Sequence, residues 1–335
     1  MGGDLGVSPI VDGALRALRE RPDSGLKVIL VGDHTSIDSA LGTFEAPPEG
    51  FLRVEHAEEV VAMDAPATDG LRRKNTSIAV GLKLHKDGHA QGFISPGNTG
   101  AVMAGALMQL QRLTGVQRPA IASMFPNPDS ATIVLDVGAN IECKPQHLVQ
   151  FAVMGSSYSA LVLGRPNPRV GLLSIGAEAS KGTDVTQTTN RLLALEKELN
   201  FVGNVEGRDV VSGEVDVVVT NGFVGNIILK LAEGIGLLFQ TKLKHQISTN
   251  VFSRFGATLM SPFLRRLKNS LDADEFGGAP LLGLDGVIVI CHGSAPAKAI
   301  KNAIFRAEES ARQGVKDHIR DHLTRYHSEE TTNAA

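Results

Sequence analysis

The sequence predicts a three-layer α/β/α fold, a mostly parallel sheet covered by helices on both faces, in one domain spanning residues 1–335. Short β-branched runs recur along the chain, and segments with a period near 3.6 lie between most of them, which is the alternation of a parallel α/β sheet. Each apolar run ends in a cluster of Gly, Asp, Asn or Ser, the turn chemistry that follows strands in such units. The 335 residues are 42% hydrophobic with a formal net charge of −3, enough chain and apolar content to bury a full core.

In chain order, IVDGALRALRE (10 to 20) reads as an amphipathic helix and KVILVG (27 to 32) as a buried strand. SIAVGLKL (77 to 84) is helical, GFIS (92 to 95) a strand, and TIVLDVG (132 to 138) a further strand ending in a turn. HLVQFAVMGSSYSALVL (147 to 163) is a long apolar helix, followed by the strand RVGLLSIG (169 to 176) and the helix VTQTTNRLLALEKEL (185 to 199). NFVGNVE (200 to 206), DVVVTNG (216 to 222) and GVIVICHG (286 to 293) complete the strands. One segment departs from the alternation. Residues 234–275 form a helical excursion, and from Gly234 to Leu271 it holds no acidic residue among Lys242, Lys244, Arg254, Arg265, Arg266 and Lys268. Basic charge interleaved with Leu, Phe, Ile and Met suits a dimer contact, an acidic partner or a membrane surface. No linker, repeat or low-complexity tract divides the chain.

Composition excludes several classes. Cys143 and Cys291 alone supply neither a disulfide framework nor zinc-ligand spacing, so no metal is expected and both read as small apolar residues in a reducing cytoplasm. The N-terminus lacks the pattern of a secretory leader, and no uninterrupted apolar run reaches the roughly 18 residues that span a bilayer. A near-zero net charge provides no general field for nucleic acid. P-loop, dinucleotide, nucleophile-elbow and zincin motifs are all absent, so no cofactor is expected.

What remains suits a small anion. Ligands in open α/β sheets bind beyond the carboxyl ends of strands, where helix N-termini converge, so the turns are expected to line one crevice. In SPGNTG, Ser95 and Gly97 precede a helix opened by Asn98, Thr99 and Gly100; Asn75 and Ser77 open another beside Arg72, Arg73 and Lys74. DVGAN contributes Asp136 and Asn140, TNGFVGN contributes Asn221, Gly222 and Asn226, and CHGSA contributes His292 and Ser294. Lys181, in GAEASKG, brings an ammonium to a strand end.

These motifs also carry a resemblance. MGGDLGVSPIVDGALRAL, LRRKNTSIAVGL, ISPGNTGAVMAGAL, IVLDVGANIECKPQHLVQFAVMG, RVGLLSIGAEASKGTD, FVGNVEGRD, VVVTNGFVGNIILK and FGGAPLLGLDGVIVICHGSA, in this order, resemble the bacterial acyl-[acyl-carrier-protein]:phosphate acyltransferase family (PlsX). The resemblance implies a fold like isocitrate and isopropylmalate dehydrogenases and phosphotransacetylase. It implies transfer of an acyl group from acyl carrier protein to inorganic phosphate in phospholipid synthesis, by a cytoplasmic homodimer attached peripherally to the inner leaflet and feeding a downstream glycerol-3-phosphate acyltransferase. On that reading Lys181, Asn221 and Asn98 carry catalysis, while the basic excursion meets the acidic carrier protein or the membrane. An acyl-coenzyme A enzyme of the phosphotransacetylase kind and a non-catalytic membrane scaffold are the alternatives. Three departures stand out. The family usually has a short strand ending in VDA before MGGD, so either the start lies upstream or the sheet lacks a strand. Asn221 replaces the usual Asp, and Pro96 replaces a small residue.

Overall fold

The computed structural model describes residues 2–45, 49–270 and 272–333. Its strands are β1 (Val28–Gly32), β2 (Leu52–His56), β3 (Phe93–Ser95), β4 (Ala120–Pro126), β5 (Ala131–Leu135), β6 (Arg169–Leu173), β7 (Asn200–Val205), β8 (Val217–Val219), β9 (Ala279–Leu282) and β10 (Ile288–Ile290). The helices before the excursion are α1 (Ser8–Glu20), α2 (His34–Leu41), α3 (Asp69–Arg72), α4 (Ser77–Lys86), α5 (Thr99–Gln109), α6 (Pro145–Val162) and α7 (Asp184–Leu195). Then come α8 (Gly222–Ser248), α9 (Val251–Leu259), α10 (Ser261–Ser270), α11 (Ala297–Arg312) and α12 (Val315–Asn333).

Strand periodicity builds the layers. Ile133 and Leu135 of β5, with Val217 and Val219 of β8, turn to a core shared with α6 and α12, whereas Val134 and Val218 turn to the opposite core with α5 and the root of α8. Because both faces are covered, these strands read as continuous apolar runs rather than alternating ones. Helix α6 is buried over most of its circumference, and Gly155 lets it press onto the sheet: a Cβ there would stand 2.6 Å from Val217 Cγ1. A third core joins α1 to α11 beside β1.

The main sheet has the order β3-β10-β9-β4-β5-β8-β6-β7, and β1 and β2 form a separate parallel pair. Four of the seven neighbouring pairs in the main sheet are parallel, as expected for a mostly parallel sheet. Three consecutive pairs, β10·β9, β9·β4 and β4·β5, are antiparallel. Three reversals make β3 and β10 run opposite to β5, β8 and β6. Their carboxyl ends therefore leave opposite edges, and the expectation that all the turns line one crevice is corrected here. The sequence reading missed β2, β4 and β9, and the last two produce the reversal.

The excursion expected over 234–275 begins earlier, since α8 starts at Gly222 and runs unbroken to Ser248. Among the described residues α8 is the one helix long and apolar enough to cross a membrane by length and composition, with 11% of its apolar window buried. Its exposed face carries Phe223, Ile227, Leu231, Ile235 and Leu238 at intervals of three or four, continued by Phe252, Phe255, Leu259 and Phe263 on α9 and α10.

Candidate active site

Three loops leave one edge of the sheet side by side. Leu135 and Leu172 both align with Val219, so the turns after β5, β8 and β6 follow one another across adjacent strands. Asp136 is fully buried at the head of the first turn. Its Oδ1 accepts from the N–H groups of Ile121 (3.0 Å), Gly138 (3.2 Å) and Ala139 (3.0 Å), and its Oδ2 from Asn140 N (2.6 Å) and Nδ2 (2.9 Å). Burial raises its pKa, and the bonds from Ala139, Asn140 and Ile121 pull it back down. With both oxygens committed, Asp136 acts as the knot that folds the DVGAN turn.

That turn is sewn to the next. Gly222 N–H donates to Asn140 O at 2.7 Å, and Asn140 Nδ2 also reaches Pro119 O at 2.8 Å. A Cβ at Gly222 would stand 2.7 Å from Asp136 Oδ2, so only glycine fits this approach. Asn221 caps α8, its Oδ1 accepting from Val224 N–H at 2.9 Å. Asn is as good a cap as Asp, so the departure from the family pattern leaves the helix start intact and replaces a carboxylate with the Nδ2 donor. One turn into α8, Asn226 is exposed, and a Cβ at Gly138 would lie 3.8 Å from its Oδ1. Lys181 is exposed in the third loop, whose fold is pinned by Lys181 N–H to Glu178 O (2.9 Å) and Asn204 Nδ2 to the same carbonyl (2.8 Å). Thr183 then caps α7 through Thr186 N–H.

Sequence reasoning missed Arg118. Its guanidinium lies within electrostatic reach of this edge, acting to lower the pKa of both Cys143 and His147. Its position just before β4 was the available signal, but β4 itself was not recognised. Neither cysteine is an activated nucleophile: burial pushes Cys143 up to about 11 and Cys291 up to about 12.

The remaining candidates gather at the opposite edge, beyond β3 and β10. Asn98 caps α5 through Ala101 N–H (2.9 Å), while its Nδ2 donates to the carbonyls of Ala62 (3.1 Å), Met63 (3.0 Å) and Ala65 (2.8 Å). The side chain is thus spent on holding residues 62–65, leaving α5 to present only the N–H groups of its first turn near exposed Thr99 and half-buried Gly100. Ser95 is buried and accepts from Gly97 N–H at 3.1 Å. Ser77 is buried with its N–H on Glu59 O (3.0 Å), whereas Asn75 is exposed and gives its carbonyl to Glu59 N–H. His292 and Ser294 pair with each other, Nδ1 to Oγ at 2.7 Å, on an exposed turn. On the excursion, Lys242, Lys244, Arg265 and Arg266 are exposed, and the side chain of Lys268 lies outside the described residues.

The family described as "Fatty acid synthesis protein" matches residues 1–318. The chain belongs to this family. Relatives named phosphate acyltransferase include those of Moorella thermoacetica, 46% identical over 316 residues (94% of this chain, 91% of the relative), and Trichlorobacter lovleyi, 45% identical over 326 residues (97% and 93%). Among solved structures, a phosphotransacetylase from Streptococcus pyogenes superposes with a TM-score of 0.61 at 18% identity, covering 90% of this chain and 91% of that one. A branched-chain phosphotransacylase from Enterococcus faecalis gives 0.54 at 16% identity over 92% and 96%. At such identities the likeness concerns the fold, and it agrees with the α/β architecture expected of the family.

Proposed function

We propose that this chain transfers an acyl group from the thioester of acyl-acyl carrier protein to inorganic phosphate, releasing acyl phosphate and free carrier protein for phospholipid synthesis. The observation that carries the reading is the near-full-length relation to phosphate acyltransferases at 46% identity. The loop edge built on Asp136, Asn140, Asn221, Gly222, Asn226 and Lys181 supports it as the place of reaction. Phosphate dianion is itself the nucleophile at neutral pH. A phosphate oxygen attacks the thioester carbonyl carbon, the tetrahedral oxyanion collapses, the C–S bond breaks and the sulfur departs as the carrier's thiol after taking a proton. Thiols held at about 11 and 12 fit direct attack rather than an acyl-cysteine intermediate.

In this reading Lys181 and Arg118 offset the charge of phosphate, the Asn226 amide and Asn221 Nδ2 donate to it or to the oxyanion, and alignment supplies most of the rate. Asn98 holds a loop at the other edge instead of touching the reacting atoms. The basic, apolar arm of α8–α10 supports a homodimer contact, an approach for the acidic carrier protein through Lys242, Lys244, Arg265 and Arg266, and peripheral attachment to the inner leaflet, from which a downstream glycerol-3-phosphate acyltransferase receives the product. Incubation with acyl-acyl carrier protein and labelled phosphate yields hydroxylamine-reactive acyl phosphate on this proposal. Lys181→Ala lowers turnover on the order of 100-fold with an unchanged circular dichroism spectrum; wild-type turnover by that variant rules out its role. Faster turnover of the coenzyme A thioester than of the carrier-protein thioester transfers the assignment to the phosphotransacetylase kind.

A further inference from the structure

Beneath the Lys181 loop lies a pair of buried amides, Asn190 of α7 and Asn204 of β7, each 7% exposed. The wall around them is apolar, with Leu193 one turn along α7 and Leu172 opposite Asn204 on β6. Leucines would fill such a wall at less cost, since a buried amide must find partners for both its N–H and its C=O groups. The pair therefore needs a use beyond packing.

The strand is built to deliver Asn204 to this place. Val170 of β6 lies opposite Phe201 and Gly171 opposite Gly203, so Val202 is an extra residue in β7. Gly203 carries this bulge at φ +98°, in the left-handed region. Side chains alternate along a strand, so one extra residue reverses the faces of everything after it. Phe201 and Asn204 consequently both face the side of α6 and α7, while Val205 faces the opposite core. In an unbulged strand Asn204 would turn away from α7.

The hydrogen bonds then run in one direction. Asn190 Nδ2 donates to Asn204 Oδ1 at 2.9 Å, which leaves Asn204 Nδ2 to donate to Glu178 O at 2.8 Å. Glu178 O also accepts from Lys181 N–H at 2.9 Å, so its two lone pairs are used and the 178–181 turn is closed on the Asn204 amide. The stem of Lys181 lies over the same loop: a Cβ at Gly176 would stand 3.1 Å from its Cγ. Gln187 Nε2 gives the loop a second brace at Ser180 O, 2.8 Å away. We propose, on the role given to Lys181 in the proposed reaction, that Asn204, oriented by Asn190, is a positioning residue that sets the Lys181 ammonium at the reacting phosphate.

Asn204→Leu fills the wall and removes the donor to Glu178 O, and Asn190→Asp removes only the donor that orients Asn204. Steady-state acyl transfer is measured for each variant alone and combined with Lys181→Ala, and hydrogen exchange is read at the Lys181 amide. Each single variant lowers kcat roughly tenfold or more, leaves the KM for acyl-acyl carrier protein unchanged and speeds exchange at Lys181. Added to Lys181→Ala, either costs less than about twofold, because the group being positioned is gone. A purely structural pair gives equal losses with and without Lys181, and that result overturns the proposal. Wild-type kcat for Asn204→Leu with an unchanged circular dichroism spectrum overturns it too. Should Asn204→Leu fail to fold, the nearly isosteric Asn190→Asp carries the same comparison. Failure of the role given to Lys181 reads differently: Lys181→Ala alone then keeps wild-type turnover, whereas failure of the positioning role leaves Lys181→Ala impaired and the losses additive.

Discussion

Asn98 is the residue whose bonding most exceeds what its motif suggested. A helix start was legible from Asn-Thr-Gly before a small-residue helix, and Asn98 caps it as Thr76, Thr183 and Asn221 cap theirs. The three carbonyls held by its Nδ2 come from 33 to 36 residues upstream, a non-local partnership without a local signal. Asn98→Ala should therefore cost about 2–4 kcal/mol in denaturant unfolding, since it removes a cap and strands three carbonyls. Asn98→Asp keeps the cap acceptor but faces those carbonyls with a carboxylate, so it should destabilise as well; restoration of stability by Asp would leave only the cap. Cys143 makes a second residue-level prediction. Because its thiol is pushed up to about 11 by burial first and by Asp136 second, iodoacetamide at neutral pH should leave acyl transfer unchanged and Cys143→Ala should retain turnover within a few-fold.

At the scale of elements, His85 ties α4 to β10. Its Nδ1 donates to Ala90 O at 2.8 Å and its Nε2 accepts from Val287 N–H at 3.0 Å, an arrangement only the neutral ring can make. Burial lowers its pKa, Ala90 O acts in the opposite sense, and the charges of Lys316 and Asp285 act in opposing directions. A histidine with a depressed folded pKa stabilises fully above its unfolded value near 6.5 and loses that contribution as pH falls through the folded one. Melting temperatures measured from pH 7.5 to 5 should decline, and His85→Gln should flatten that decline. Strand legibility followed the same local logic. β5, β6, β8 and β10 stood out because they are β-branched and enclosed on both faces. β4 (AIASMFP) is rich in alanine and ends at a proline, and β9 (APLL) has Pro280 as its second residue, so neither resembles a strand by propensity.

Over the whole molecule, the unseen β4 and β9 decide which loops can meet. The alternation of runs revealed an α/β sheet, but strand direction depends on pairings between residues far apart in sequence. The candidate site was legible as a set of donor-rich turns, not as two separate edges. The arm is the other feature of this scale: Arg265→Glu with Arg266→Glu should raise the KM for acyl-acyl carrier protein roughly tenfold at low salt while leaving kcat unchanged, and the difference should shrink as salt is added. Equal KM values for the two proteins would remove the carrier from that face. Helix α8 links the arm to the loop edge as one rigid piece, its 27 residues reaching about 40 Å from the Asn221 cap. Such a rod is a lever with its fulcrum at the Asn140–Gly222 contact. A tilt of about 5° there would sweep the far end through about 3.5 Å, so a small change at the loop edge is magnified at the tip of the arm.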